Sequence, residues 1–155
     1  MLNKHQMNLL SQITLKWYDD SSLMAEDKRE LVELFLDSIG ITREVAADIF
    51  ELLLIARSKG LSLTSKEIME GITEMRTHRG QAADDSLTLR NIQIWLKFFR
   101  GLGLLEKIGG RYFFKGNKKP STVFRETVTP EVIDKSADYV ARVLEKLEDR
   151  YNIKK

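Results

Sequence analysis

Apolar and polar positions follow a helical period along most of the chain, most clearly in its second half. At 100° per residue, a helix over 88–102 would carry large apolar side chains on one side and polar ones opposite. Gly103 follows where a helix C-terminus favours a left-handed residue. Two short apolar runs over 104–115 are split by Gly109-Gly110, a dipeptide typical of a type I′ hairpin turn. The apolar side of the helix consists of Ile92, Trp95, Leu96, Phe99 and Leu102.

The same period predicts five further helices and one short strand. Thr64 and Glu67 form a capping box at the start of one helix, and Thr42 is the predicted N-cap of another. The apolar helix 42–58 is predicted to be central, because almost every side of it needs cover. The predicted helices are 2–18, 25–38, 42–58, 65–75 and 129–151, with a strand at 61–63, a loop at 76–85, a basic linker at 116–121 and extended chain at 122–127.

The order strand, helix, loop, helix, hairpin over 61–115 resembles the winged helix-turn-helix superfamily. The segment 95–105 carries the resemblance, because Leu96, Phe99 and Leu102 occupy the apolar slots of a run typical of a recognition helix leading into its wing. The resemblance covers about a third of the chain, and small archaeal and bacterial regulators are the nearest general likeness. One departure is the loop at 76–85, which exceeds the roughly 3–4 residues of an ordinary helix-turn-helix.

The resemblance implies a mostly α fold. Its core would be a winged helix-turn-helix of three helices plus a small β-hairpin wing, flanked by N-terminal helices and a long C-terminal helix. We expect an N-terminal helical extension at 1–40, a winged-helix domain at 41–125 and a C-terminal helix at 126–155. The stripe along that last helix, at spacings of four and three, favours a homodimer through the C-terminal and N-terminal helices, although the stripe could instead pack on the first helices of its own chain.

Charge is unevenly distributed along the chain. The net charge of +2 is composed of −3 over residues 1–60, +6 over 61–125 and −1 over 126–155. Positive charge therefore coincides with the predicted recognition helix and wing, which is the distribution expected of a nucleic-acid-binding surface.

The resemblance places the recognition helix in the major groove of DNA. Arginine side chains there can pair with guanine, and asparagine and glutamine side chains with adenine. Lys97 and Arg100 would contact phosphate. An exposed Ile94 would contact a thymine methyl group. Arg111 at the wing tip, with three lysines behind it, would reach the minor groove or backbone. The full predicted DNA-binding set is Arg90, Asn91, Gln93, Ile94, Lys97, Arg100, Arg111, Lys115, Lys118 and Lys119.

Catalysis finds little support in the sequence. With no cysteine and two histidines, thiolate zinc sites are excluded, and we predict no catalytic residue, metal or cofactor. The adjacent aspartates at 19–20 and 84–85 are typical turn residues. No apolar run approaches the roughly 20 residues of a membrane span, and the N-terminus does not resemble a signal peptide, so we expect a cytoplasmic protein.

These observations favour a dimeric transcriptional regulator that binds specific double-stranded DNA. The alternative is a winged-helix adaptor in a replication or chromosome-maintenance complex, with Ile94, Phe98 and the loop at 76–85 contacting a protein partner. RNA binding is a third reading, which competition between duplex DNA and structured RNA would test.

Overall fold

The computed structural model describes residues 7–81 and 86–155. It is mostly helical with one small antiparallel sheet, as predicted. The helices are α1 (Lys28–Ser38), α2 (Glu44–Ser58), α3 (Ser65–His78), α4 (Leu89–Gly101), α5 (Pro120–Val123) and α6 (Asp134–Arg150), and the strands are β1 (Leu63–Thr64), β2 (Leu105–Ile108) and β3 (Arg111–Phe114). A short 3₁₀ turn at Asp20–Met24 precedes α1.

The sheet has the strand order β1-β3-β2, with both pairings antiparallel. Leu105 pairs with Phe114 and Ile108 with Arg111, so β2 and β3 form the predicted hairpin. Gly109 and Gly110 have φ of 57° and 77°, and two consecutive positive φ values are what a type I′ turn requires. The predicted hairpin and its glycine turn are therefore confirmed.

α2 is the central helix, as predicted. It contacts α1, α3, α4 and β3, and the Phe50 ring lies against Phe35, Phe99 and Phe114 at centroid distances of 4.8 to 5.7 Å. One continuous core runs from Val32 to Val132. The core therefore crosses residues 40 and 125, where the sequence predicts domain boundaries, and those boundaries stay predictions.

The predicted helix at 2–18 is wrong for residues 7–18, which form no helix; residues 1–6 lie outside the described range. Helices in proteins depend largely on packing an apolar face, and most of this face finds no cover, since Leu9 is 78% and Trp17 97% exposed although Ile13 packs against the core. The segment is held instead by the end of α1. The Lys16 N–H donates to the Ser38 carbonyl at 2.8 Å, and the Lys16 ammonium and Tyr18 hydroxyl both donate to Asp37.

Two helix starts differ by a few residues from the predicted ones. α1 begins at Lys28 rather than near residue 25, because the Asp27 side chain accepts the Arg29 N–H and caps the helix there. α2 begins after Arg43 rather than Thr42, without a side-chain cap. By contrast, the predicted capping box of Thr64 and Glu67 is confirmed at the start of α3.

From Pro120 onward the chain leading to α6 is helical, which corrects the end of the predicted basic linker, the extended segment and the helix start at 129, whereas residues 118–119 form no helix. The helix begins with Pro120 at its first position and continues through a π-helical stretch, Phe124–Ile133, into α6. Val123, Val128 and Val132 are buried, and this packing decides the conformation. Pro130 lies inside the π-helical stretch, where a widened hydrogen-bonding pattern tolerates its missing N–H.

Gly103 provides a test of the connection between α4 and the hairpin. Its φ is +87°, and an added Cβ would lie 2.7 Å from the Thr127 methyl group, so Gly103→Ala combines backbone strain with a steric clash. We expect it to lower the free energy of unfolding by about 1–3 kcal/mol. Gly101→Ala is the matched control, because that glycine is helical with open space around it; it should stabilise by about 0.5–1 kcal/mol. Urea unfolding followed by circular dichroism measures both, and equal effects would refute the assignment.

Candidate nucleic-acid interface

α4 presents one buried and one exposed face. The Thr88 side chain caps the helix by accepting the Asn91 N–H at 3.1 Å, and Ile92, Leu96 and Phe99 are fully buried. The exposed face brings together five of the residues predicted to bind DNA: Arg90, Gln93, Ile94, Lys97 and Arg100. Ile94 is 52% exposed and gives this face an apolar contact point among four polar neighbours.

Asn91 lies apart from this face. Its side chain is half-buried, and its amide nitrogen donates to the Ser86 carbonyl at 2.7 Å. That hydrogen bond fixes the chain that leads into α4. It also occupies the amide N–H group that Asn91 would need to hydrogen-bond to an adenine base.

A groove of about 510 Å³ lies between the C-terminal half of α4 and the hairpin. Four cations line it, with Glu106 as the single acidic residue among the lining side chains. Glu106 accepts the Gly116 N–H at 3.3 Å, which ties the base of the hairpin together. We call Lys97, Arg100, Lys107 and Lys115 the basic groove.

Lys107 is the groove residue that the predicted set omits. It pairs with Tyr112 across the hairpin, and its ammonium lies 5.4 Å from the centre of the Tyr112 ring. The sequence contains a signal for it. Side chains alternate along a strand, so Lys107 must point to the same side as Leu105, which faces α4.

Arg111 has a structural role at the opposite edge of the hairpin. Its guanidinium donates to the Ser62 carbonyl at 2.9 Å and pairs with Glu67 at 3.1 Å, which fixes the hairpin to the start of α3. The pKa of Glu67 lies below its ordinary value, chiefly because the Thr64 backbone and then the Thr64 hydroxyl hydrogen-bond to its carboxylate, with Arg111 adding to the effect. The tip of the hairpin is therefore Ile108, 64% exposed, followed by two glycines.

Lys118 and Lys119 lie on the turn that leads into α5 and do not line the basic groove. The Lys118 ammonium pairs with Glu126 at 2.6 Å. The predicted set therefore divides into residues of the exposed α4 face and the basic groove, and four residues that lie apart from both: Asn91, Arg111, Lys118 and Lys119.

A second charged cluster is buried between α1, α2 and α3. Asp48 is fully buried, and its two carboxylate oxygens accept from Arg29 at 2.8 Å and from Arg76 at 2.9 and 3.0 Å. Glu51 accepts from Arg29 and from Arg79, each at 2.9 Å. Burial would lower the pKa of Arg29, but hydrogen bonds to Glu51 and Asp48 outweigh it and raise the pKa overall. We call these five residues the buried ion network.

The buried ion network explains why the predicted loop at 76–85 is wrong at its start. α3 continues to His78, and Arg76 is one of its buried residues. The Arg76 guanidinium points inward at a position where an apolar side chain would be expected, so the apolar pattern of the sequence does not extend to the end of the helix. Residues 79–81 form no helix, as predicted. Residues 82–85 lie outside the described range, so that part of the loop and its suggested protein partner stay predictions.

Within residues 7–81 and 86–155, no group of three or more histidine, aspartate or glutamate side chains is arranged to hold a metal ion. None of the helices in the same ranges combines the length and apolarity of a membrane span. Comparisons of the chain with models of known families, with curated proteins and with solved structures found no match.

Proposed function

We propose that this chain is a winged-helix protein that binds specific sequences of double-stranded DNA, with α4 as the recognition helix and the β2–β3 hairpin as the wing. The observation that carries the proposal is the continuity of the exposed polar face of α4 with the basic groove. The 13 residues of α4 span about 20 Å, and its buried face leaves Arg90, Gln93 and Ile94 free to approach base edges in a major groove about 12 Å wide.

The position of the basic groove indicates that different residues contact the phosphates and the bases. Lys97 and Arg100 face Lys107 and Lys115 across the groove, so a DNA backbone lying in it would meet cations from two sides. Arg90 and Gln93 lie outside the groove and carry the donors that read guanine and adenine. The wing therefore contacts phosphate through its base rather than through Arg111, because Arg111 is held at the opposite edge of the hairpin by Glu67 and Ser62.

Sequence-specific binding of this kind is typical of a transcriptional regulator, which we propose as the role, acting as a dimer. The second candidate is a protein-interaction adaptor. It is favoured by the exposed apolar side chains of α4, since Leu89 is 42% and Ile94 52% exposed. Phe98, also suggested for such a surface, instead packs edge-on against Trp95 and Phe99.

Selection of bound duplexes from random DNA tests the proposal. We expect an enriched motif that Arg90→Ala with Gln93→Ala weakens by roughly 100-fold, because each base contact contributes about 1–3 kcal/mol of discrimination. Lys28→Ala is the control, since Lys28 is also an exposed cation but lies on α1 and should leave the motif and its affinity unchanged. Binding without any enriched motif would overturn the proposed sequence specificity. No binding to duplex DNA at low salt would overturn the whole proposal and favour the adaptor.

A further inference from the structure

α6 carries an apolar stripe that nothing in the described chain covers. Every residue from 137 to 150 is exposed, and α6 has its main contacts with the helical segment directly before it. The large members of the stripe are Tyr139, Val140, Val143, Leu144, Leu147 and Tyr151, between 42% and 75% exposed. The predicted alternative, that this stripe packs on the first helices of its own chain, is therefore not what the structure shows.

The size of the stripe is close to that of an interface. Half-exposed side chains of this size leave on the order of 100 Å² open each, which gives roughly 600 Å² in total. A standard protein interface buries about 800 Å² on each partner. The 17-residue helix is about 25 Å long, so one helix of equal length laid along it would cover the stripe from end to end.

The charges beside the stripe indicate which partner fits. At 100° per residue, one flank of the stripe is basic and the other acidic, whereas Asp138, Arg142 and Asp149 lie on the back. Arg142 pairs with Asp138 there at 3.1 Å. The basic flank is formed by Lys135, Lys146 and Arg150, and the acidic flank by Asp134 and Glu148, whereas Glu145 lies toward the back.

We infer that a second copy of this chain docks on α6, with the two helices parallel. When two identical helices pack face to face in parallel, the left flank of one lies beside the right flank of the other, so acidic and basic flanks meet. In the antiparallel arrangement the acidic flank of one helix lies beside the acidic flank of the other, and the two basic flanks also lie together, so the charges repel on both sides of the interface. A parallel pair is isologous and closes at two subunits.

The parallel arrangement places both winged-helix cores at the same end of the helix pair. Two α4 helices would then be presented to one DNA duplex in a two-fold arrangement. That presentation rests on the proposed function, whereas the helix pair itself does not, because none of its residues belongs to the α4 face or the basic groove.

Cysteine cross-linking tests the pairing and its direction, since the chain has no native cysteine. In the full chain without DNA, Tyr151→Cys should form a covalent dimer on mild oxidation, because parallel helices place the two copies of this position together. A mixture of Tyr151→Cys and Ala137→Cys chains should yield mainly the two homodimers. Cross-linking only between the two different variants would show antiparallel helices and overturn the inference.

Truncation of the stripe gives a second measurement. Leu144→Ala with Leu147→Ala should raise the dimer dissociation constant by about 100-fold or more, as followed by sedimentation. Arg142→Ala with Asp149→Ala is the matched control on the back of the same helix and should leave it unchanged. A monomeric mass for the parent chain at all concentrations would overturn the inference and the proposed dimer, whereas specific DNA binding by that monomer would leave recognition by α4 standing.

Discussion

Asp48→Ala will lower the free energy of unfolding by about 3–5 kcal/mol, the largest effect of any single substitution considered for this chain. The reason is the arginine it leaves behind. Arg76 is 5% exposed, and both of its hydrogen bonds to Asp48 end on the same carboxylate oxygen. Removing the carboxylate leaves a desolvated guanidinium without those bonds, and Arg29 loses one of its partners as well. Urea unfolding followed by circular dichroism, with an unchanged slope, measures the loss.

The double variant Asp48→Ala with Arg76→Met separates a buried charge from simple loss of packing. It removes the stranded cation together with its partner, so we expect at least half of the lost stability to return. A matched control is Glu33→Ala, which removes an exposed ion-pair partner of Arg29 at 3.1 Å and should cost less than about 1 kcal/mol. A loss below 1 kcal/mol for Asp48→Ala would contradict the importance of the network.

Much of the architecture was predictable because it depends on local chemistry. The apolar face of α4, the capping box at Thr64 and the two glycines of the hairpin turn each follow from a few adjacent residues, and each is found as expected. α2 was predictable as the central helix because almost every side of it is apolar.

The failures occur where distant contacts override a local pattern. Residues 7–18 carry helical periodicity, but bonds to Asp37 and Ser38 at the end of α1 hold them in another conformation. Pro130 marks a helix start by local rules, yet Val128 and Val132 are buried on either side of it and keep the helix continuous. Arg76 was assigned to a loop because nothing in the sequence shows that Asp48 lies opposite it.

The candidate interface was predictable in part. Helical spacing alone places Arg90, Gln93, Lys97 and Arg100 on one exposed face. The basic groove was not predictable as a unit, because Lys107 joins it only once β2 lies beside α4. Arg111 shows the converse, since its position at the hairpin turn suggests a free cation and only the fold reveals its pairing with Glu67.

Lys107→Ala with Lys115→Ala will reduce the salt dependence of DNA binding. If both lysines contact phosphate, the slope of log binding constant against log salt concentration should fall in magnitude by about 2, since each contact contributes roughly 0.9. Affinity near 0.1 M salt should weaken by roughly 10- to 100-fold for the selected motif and for random duplex alike. Fluorescence anisotropy over a salt series measures both quantities, and unfolding checks that stability is retained.

Lys118→Ala with Lys119→Ala is the decisive comparison for this prediction, because it removes the same charge from residues that the sequence placed at the DNA and the structure places outside the groove. Lys118 is already paired with Glu126, so this variant should change the slope by less than about 1. Equal changes of the salt slope in the two variants would show that regional charge alone attracts DNA. If the groove binds phosphate, removing the lysines that line it must change the slope more than removing the lysines beside it. A larger change for Lys118 and Lys119 would move the phosphate contacts from the groove to the turn before α5.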